Sequence, residues 1–233
     1  MSAITNISEI PVAILAGGLA KRIRPLTETV PKSMLEINGR PFIDFQLELL
    51  HRKGLRKAVI CLGHLGNKIE EHVGNGEKFG MNVTYSQDGE KLLGTGGAIV
   101  KALDQLGDRF FITYGDNLLD DDYQLMVQSD PEFATMMIYR NDNKFDQSNV
   151  VLDGNNVFYS KLSPEKHACY IDYGIALVNS KIFNEYKSRR QFDLAEVYEK
   201  LSREKKLKAA IASKRFYEIG SFLGLEEVKG IKF

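Results

Sequence analysis

Through the first half of the chain, short runs of aliphatic and β-branched residues alternate with amphipathic stretches. Residues 11–16 (PVAILA) are nearly all apolar and predict a buried strand, followed by a long loop bearing glycine and proline. Over residues 42–53 the apolar positions Phe42, Phe45, Leu49 and Leu50 fall on one helical face. Residues 57–62 (KAVICL) predict a second strand, 67–73 a short helix and 82–86 a third strand. A helix opened by glycines follows over 97–106, then strands over 109–114 (RFFITY) and 134–139 (ATMMIY). Such β-α-β alternation implies a largely parallel sheet with helices on both faces.

The pattern changes after Asn141. Segments 149–152 and 157–161 flank Asp153-Gly154-Asn155-Asn156, a strong hairpin signal. A strand over 171–178, a helix over 194–204, strands over 208–212 and 216–219, and a closing helix over 222–228 complete the reading. There is no internal repeat, linker or low-complexity tract. The expectation is a single α/β domain over 1–233, with a first part to about residue 140 and a β-rich second part from about 141.

Composition narrows the partners. Lys+Arg and Asp+Glu are equal at 31 each, which argues against a nucleic-acid binder. Cys61 and Cys169 show no metal or redox spacing and read as reduced thiols. The first ten residues have neither the basic segment nor the apolar core of a signal peptide, and no apolar run reaches the roughly 20 residues of a membrane span. A cytoplasmic protein without membrane or nucleic-acid partners is expected, free to form a homo-oligomer. The four histidines, His51, His64, His72 and His167, have no catalytic or metal-site spacing.

Candidate chemistry begins after the first strand, in LAGGLAKRIRPLT (15–27). Paired glycines let backbone N–H groups approach a phosphate, and Lys21, Arg22, Arg24 and Lys32 supply cations. A tight turn with solvated basic residues explains Gly-Gly equally well. The dinucleotide fingerprint G-x-G-x-x-G is not met, and Pro25 and Pro31 forbid one uninterrupted helix. The P-loop pattern G-x-x-x-x-G-K-[ST] is absent.

These residues resemble the sugar-1-phosphate nucleotidyltransferases, whose signature runs L-[AC]-[AG]-G-x-G-[TS]-R-[LM]-x-P-x-T and then P-K-x-x-x-x-[IV]-x-x-[KR]-P. The chain reads LAGGLAKRIRPLT and PKSMLEINGRP, departing at Ala20, Lys21 and Ile23. The resemblance implies a Rossmann-like fold, α/β, with a mixed, mostly parallel sheet sandwiched by helices and a β-rich sugar-binding subregion. It implies that Leu15, Ala16, Gly17 and Gly18 contact the nucleotide, that Arg22 meets the departing pyrophosphate, and that Lys32 meets the phosphates near the reacting centre.

Further motifs extend this reading. Leu93-Gly94-Thr95-Gly96-Gly97-Ala98 opens a helix; the likeness assigns Gly94 and Gly97 to the nucleotide pocket, with Gln87 a candidate for the base edge. Asp116, just past the strand 109–114, lies where α/β sheets gather ligands and can hold Mg²⁺ beside a triphosphate. Glu218, in Phe216-Tyr217-Glu218-Ile219-Gly220-Ser221, stands where the family has a second acidic metal ligand. Asp120, Asp121 and Asp122 read instead as a solvated, helix-capping turn. For the acceptor side the resemblance points to Lys161 for the sugar phosphate, and Asn149 and Asp172 are candidates for sugar hydroxyls or, equally, for turns.

The implied reaction joins an NTP to a sugar 1-phosphate, giving an NDP-sugar and pyrophosphate with Mg²⁺ as cofactor. The nucleophile is already an anionic phosphate, so no Ser, Cys or His nucleophile is required. The rival readings are a cytidylyltransferase for a non-sugar phosphate such as phosphocholine or a glycerol phosphate, and a non-catalytic nucleotide- or sugar-binding regulator on the same scaffold. A nicotinamide dehydrogenase is remote. Neither base nor sugar is legible, beyond a lean towards guanylyl transfer to a heptose or mannose phosphate.

Overall fold

A computed structural model describes residues 6–128, 132–154, 156–162 and 164–231. Residues 1–5 of the segment tested for a leader and Asn155 of the hairpin turn lie outside the described residues.

Strand β1 (Val12–Leu15) is followed by 3-10 turns at Lys21–Ile23 and Lys32–Met34 and by two short strands, β2 (Glu36–Ile37) and β3 (Arg40–Pro41). Next come α1 (Phe42–Arg52), β4 (Lys57–Leu62), α2 (Gly66–Val73), β5 (Asn82–Gln87), α3 (Gly94–Leu106) and β6 (Arg109–Tyr114). The chain continues through β7 (Asn117–Leu118), α4 (Gln124–Gln128), β8 (Ala134–Arg140), β9 (Val150–Asp153), β10 (Asn156–Tyr159) and β11 (Tyr170–Asn179). A 3-10 segment (Ser180–Tyr186), α5 (Leu194–Arg203), β12 (Leu207–Ile211), β13 (Tyr217–Glu218) and α6 (Phe222–Lys229) complete it.

Nine strands form one sheet in the order β10-β9-β11-β6-β1-β4-β5, with β8 also paired to β11 and β12 to β8. The pairings β1–β4, β1–β6, β4–β5 and β8–β12 are parallel. Those of β11 with β6, β8 and β9, and of β9 with β10, are antiparallel. The sheet is therefore mixed, as expected, but parallel and antiparallel pairings are equal in number. Three of the four antiparallel pairings belong to β11, which runs against β6, β8 and β9, and the fourth is the β9–β10 hairpin.

Alternate side chains of the central strands feed opposite layers. Ala13, Leu15, Phe110 and Ile112 pack with α3 and α5. Val12, Ile14 and Phe111 face α1 and α2. A third, smaller core joins Ile23, Leu35, Phe42, Phe45, Leu118, Ile219 and Leu225. It binds the loop after β1 and the C-terminal β13–α6 segment to one end of the sheet.

The acidic run after β7 differs from expectation. Asp121 is buried, 4% exposed, and accepts from the Ser213 and Lys214 N–H groups at 2.7 Å each. It fastens the chain entering β13 rather than facing water. Asp122 does accept from the Gln124 N–H, and Asp120 pairs with Lys53 and Lys214.

Candidate active site

The strand order reverses between β1 and β6: β4 and β5 lie on one side of β1, while β6 lies on the other. Open α/β sheets bind ligands outside the carboxyl ends of strands at such a switch point. Here Leu15 and Tyr114 are register partners, and the chain leaves them as Ala16-Gly17-Gly18 and Gly115-Asp116. A Cβ on Gly63 would lie 2.5 Å from the Gly17 carbonyl oxygen, so the segments leaving β1 and β4 pack backbone to backbone. Gly18 meets nothing within 4 Å of its Cβ position and faces open space.

A cleft of about 220 Å³ lies over these ends. Its lining includes Leu15, Ala16, Gly17, Gly18, Lys32, Gly94 and Asp116, seven of the residues singled out in the sequence. Lys32 Nζ contacts Asp116 Oδ2 at 2.5 Å, with side-chain exposures of 23% and 17%. Lys32 is carried by the turn after Pro31, and that turn is anchored through Leu35 in the small third core.

Arg22 and Glu218 meet the same centre at Gly220. A Cβ there would lie 2.6 Å from Glu218 Oε2, 3.0 Å from Asp116 Oδ2 and 3.1 Å from an Arg22 guanidinium nitrogen. Only glycine leaves room for two carboxylates and a cation to converge. Pairing of β13 with β7 sets Glu218 opposite Asn117, and Ile219 N–H donates to the Asp116 carbonyl at 3.0 Å. Glu218 also accepts from the Gly220 N–H and the Ser221 hydroxyl.

Two carboxylates side by side suit Mg²⁺, a hard ion that takes one or two carboxylates and completes its octahedron with water and phosphate oxygens. Among the described residues no group of three or more His, Cys, Asp and Glu is placed to cage a metal. Asp116 and Glu218 would hold the ion only together with a substrate.

At the other end the cleft is bounded by Asp88, Leu92 and Cys61. Asp88 follows β5, three strand spacings from β6, or roughly 14 Å at about 4.8 Å each. Its N–H donates to the Leu62 carbonyl, and its Oδ2 accepts from Leu93 N–H at 3.0 Å. Burial raises the pKa of its carboxyl, against the Leu93 hydrogen bond and Lys101. Cys61 is buried, and desolvation pushes its thiol up to about 12, so it is an apolar wall.

Two expected nucleotide residues lie elsewhere. Gln87 is exposed and donates to Glu70 Oε2 at 2.9 Å; the two-residue alternation of β5 buries Ser86 and turns Gln87 away. Gly97 does not line the cleft. A Cβ on it would lie 2.6 Å from the Arg190 carbonyl oxygen, so its smallness serves the packing of the 190–193 segment. Gly94 does line the cleft, yet it too is pressed against that segment, 2.5 Å from the Phe192 carbonyl by the same measure.

The acceptor candidates form a second polar cluster joined to the cleft. Asn149 Oδ1 accepts from the Asp172 N–H at 2.9 Å, and Asp172 Oδ1 accepts from Gly174 N–H at 2.9 Å. Lys161 Nζ pairs with Asp193 Oδ2 at 2.5 Å, and Asp193 Oδ1 accepts from the Thr95 hydroxyl at 3.0 Å. Thr95 and Tyr114 both line the cleft. Burial drives the Tyr114 phenol far above its ordinary pKa, and the Asp172 and Asp193 carboxylates add to it. Lys161 lies just beyond β10 rather than at its end.

The sequence shows Thr95 and Gly220 only as members of motifs and assigns no role to Asp88, Tyr114 or Asp193. One signal was present: Asp193 with Glu196 is a capping box before an amphipathic run, and both of its hydrogen bonds form.

A family model described as Nucleotidyl transferase matches residues 12–229. A D-glycero-alpha-D-manno-heptose 1-phosphate guanylyltransferase of Campylobacter jejuni is 28% identical over 209 residues, 89% of this chain and 93% of that protein. An N-acetylmuramate alpha-1-phosphate uridylyltransferase of Neisseria meningitidis is 39% identical over 117 residues, 50% of this chain and 51% of that protein. A solved structure of a proposed glucose-1-phosphate thymidylyltransferase from Bacillus anthracis superposes with a TM-score of 0.82 at 22% identity, covering 96% of this chain and 97% of the other. That likeness bears on the fold.

Proposed function

Since the chain belongs to the nucleotidyl transferase family, we propose that it transfers a nucleoside monophosphate from an NTP to a sugar 1-phosphate, with Mg²⁺, releasing pyrophosphate. The observation that carries this reading is the convergence of Lys32, Asp116, Arg22 and Glu218 at one end of the cleft.

An anionic oxygen of the acceptor phosphate attacks the α-phosphorus in line. The new O–P bond forms as the bond to the β-phosphate oxygen breaks, and pyrophosphate leaves with its electron pair. Nothing has to be deprotonated first, so the protein's task is alignment and charge neutralisation. Lys32 and Arg22 offset charge on the triphosphate and on the departing pyrophosphate. Asp116 and Glu218 would hold Mg²⁺, which would offset phosphate charge as a Lewis acid when bound. Gly17 and Gly18 let the backbone close on the phosphates. Lys161 receives the acceptor phosphate once drawn from Asp193, while Asn149 and Asp172 face the sugar.

The base end supports the lean towards guanine. Asp88 is an acceptor with one carboxylate oxygen engaged by Leu93. Guanine offers it two adjacent donors, N1–H and N2–H₂; uracil and thymine flank their single N–H with carbonyl oxygens that a carboxylate repels. The relative from Campylobacter jejuni is named a guanylyltransferase, in keeping with this.

A matrix of the common NTPs against several sugar 1-phosphates, phosphocholine and glycerol phosphate, scored by pyrophosphate release, tests the proposal. Metal-dependent release with GTP and a sugar 1-phosphate is expected. Turnover confined to CTP with a non-sugar phosphate would replace it with the rival cytidylyltransferase reading.

A further inference from the structure

The turn bearing Asp116 is held at every joint, and one side chain does part of the holding. Gly115 N–H donates to the Leu15 carbonyl at 2.9 Å, tying the turn to the phosphate loop. Ile219 N–H donates to the Asp116 carbonyl at 3.0 Å, tying it to the Glu218 strand. The two carbonyls that bracket this pair, those of Tyr114 and Asn117, both accept from Gln46 Nε2, at 2.7 and 2.8 Å.

Gln46 lies on α1 and is 3% exposed. Its two amide N–H bonds are spent on the turn, while its buried Oε1 has no hydrogen-bond partner among the described residues. An unsatisfied buried amide oxygen is destabilising. A leucine on this helical face would pack without that cost, so packing does not account for glutamine here. The fork spans the residues on either side of Gly115 and Asp116, and so fixes the direction in which the Asp116 carboxylate leaves the backbone. That direction matters because Asp116 must serve Lys32 and the site at Gly220 together.

We infer that Gln46 is a positioning residue of the active site, clamping the Tyr114–Asn117 turn so that Asp116 faces Lys32 and Glu218. The inference rests on the proposed nucleotidyl transfer, and touches neither substrate. Displacement of a catalytic group by about an ångström costs roughly 100-fold in rate, and loss of an outer partner of a metal ligand about 10–100-fold in metal affinity.

Two variants and two readings test it. Gln46→Met keeps the length and volume and removes both donors. Gln46→Glu keeps the shape and, only while its carboxyl is protonated, one donor. For Gln46→Met we expect thermal unfolding close to that of the parent, kcat lowered about 10–100-fold with KM for both substrates within about 3-fold, and Mn²⁺ affinity, read by electron paramagnetic resonance with a non-hydrolysable NTP, weakened about 10-fold. For Gln46→Glu, kcat should fall between pH 5.5 and 8.5 relative to the parent, as the new carboxylate comes to face two carbonyl oxygens. Folded variants with kcat and Mn²⁺ affinity within 2-fold of the parent would overturn the inference, as would a rise in KM alone, or failure of both variants to fold. Parent protein that releases no pyrophosphate would instead sink the functional reading, while Mn²⁺ binding still reports on the clamp.

Discussion

Lys32 and Asp116 are each other's partner, at 2.5 Å and largely out of water. Both are also the groups a triphosphate and its metal would claim, so loading the site must trade this ion pair for two new contacts. The lysine then acts in opposite senses. On the proposed reaction it would compete with a metal ion offered alone for Asp116, and would offset phosphate charge once a triphosphate is bound. Replacing Lys32 by methionine should therefore tighten Mn²⁺ binding to the nucleotide-free protein several-fold, yet lower kcat by about 100–1000-fold, in the range of losing one charge-stabilising group. Weaker metal binding in that variant would show that Lys32 supports the metal site instead. At the other end, Asp88→Asn keeps size and replaces one acceptor by a donor. With GTP, kcat/KM should fall by about 1–3 kcal/mol, a factor of roughly 5–150, while UTP, whose carbonyls prefer a donor, should lose far less. Equal losses for both nucleotides would remove Asp88 from base recognition.

At the scale of the elements, the segment 190–193 backs the glycine-rich start of α3, whose Gly94, Thr95 and Ala98 line the cleft. Phe192 stacks on Tyr186 with centroids 5.0 Å apart, its carbonyl accepts from Gly96 N–H, and its ring fills the place of a Gly96 side chain. A Cβ on Gly96 would lie 2.2 Å from that ring. Gly→Ala within a helix ordinarily gains about 1 kcal/mol. Here the ring is 5% exposed and has nowhere to swing, so overpacking of about 1–3 kcal/mol wins or at best cancels the gain. Gly96→Ala should lower the thermal midpoint by several degrees and raise the acceptor KM, since Asp193 and its partner Lys161 are displaced with the segment. A higher midpoint would show that the segment yields.

Strands whose side chains are buried on both faces were the most legible elements: residues 57–62 and 109–114 match β4 and β6 at both ends, because apolar runs rich in β-branched or aromatic residues and too short for a helix favour a buried strand. The helix after the second glycine cluster begins at Gly94 rather than 97, since its glycines are tolerated for packing that no local pattern displays. The same blindness misplaced Gly97 and Gln87. Both lie beside the glycine-rich motif in sequence, but one faces a distant carbonyl and the other obeys the alternation of its strand. Leu15, Ala16, Gly17 and Gly18, which line the cleft, stand together in one contiguous motif. Asp88, Asp193 and Gln46 are placed by contacts that only the fold makes.

For the whole molecule, the reversed strand β11 joins β6 to β8 and β9 within the sheet, and its register against β8 breaks between Asp172 and Ala176. Gly174, at φ +99°, sits in that break, and its carbonyl accepts from the buried Thr113 hydroxyl. Such a bulge re-aims side chains, and here it sends Asp172 towards the cluster of Tyr114, Tyr159 and Tyr198. Burial raises its carboxyl to about 6, outweighing the Gly174 hydrogen bond and the attraction of Lys161. In the unfolded chain an aspartate titrates near 3.9. The folded state therefore binds the extra proton between about pH 4 and 6, and stability from this group is full below that window and lost as pH rises through it. A two-unit shift corresponds to roughly 3 kcal/mol, which partial solvent access reduces to about 1–2 kcal/mol. Asp172→Asn keeps the hydrogen bond to Gly174 and cannot ionise. Its urea midpoint should exceed the parent's at pH 7–8 and converge with it near pH 4, whereas a constant gap across pH would mean that ionisation of Asp172 is not the cause. If the carboxylate also serves the acceptor, the same variant gains stability and loses acceptor affinity, the opposition expected where a fold keeps a buried charge for its ligand.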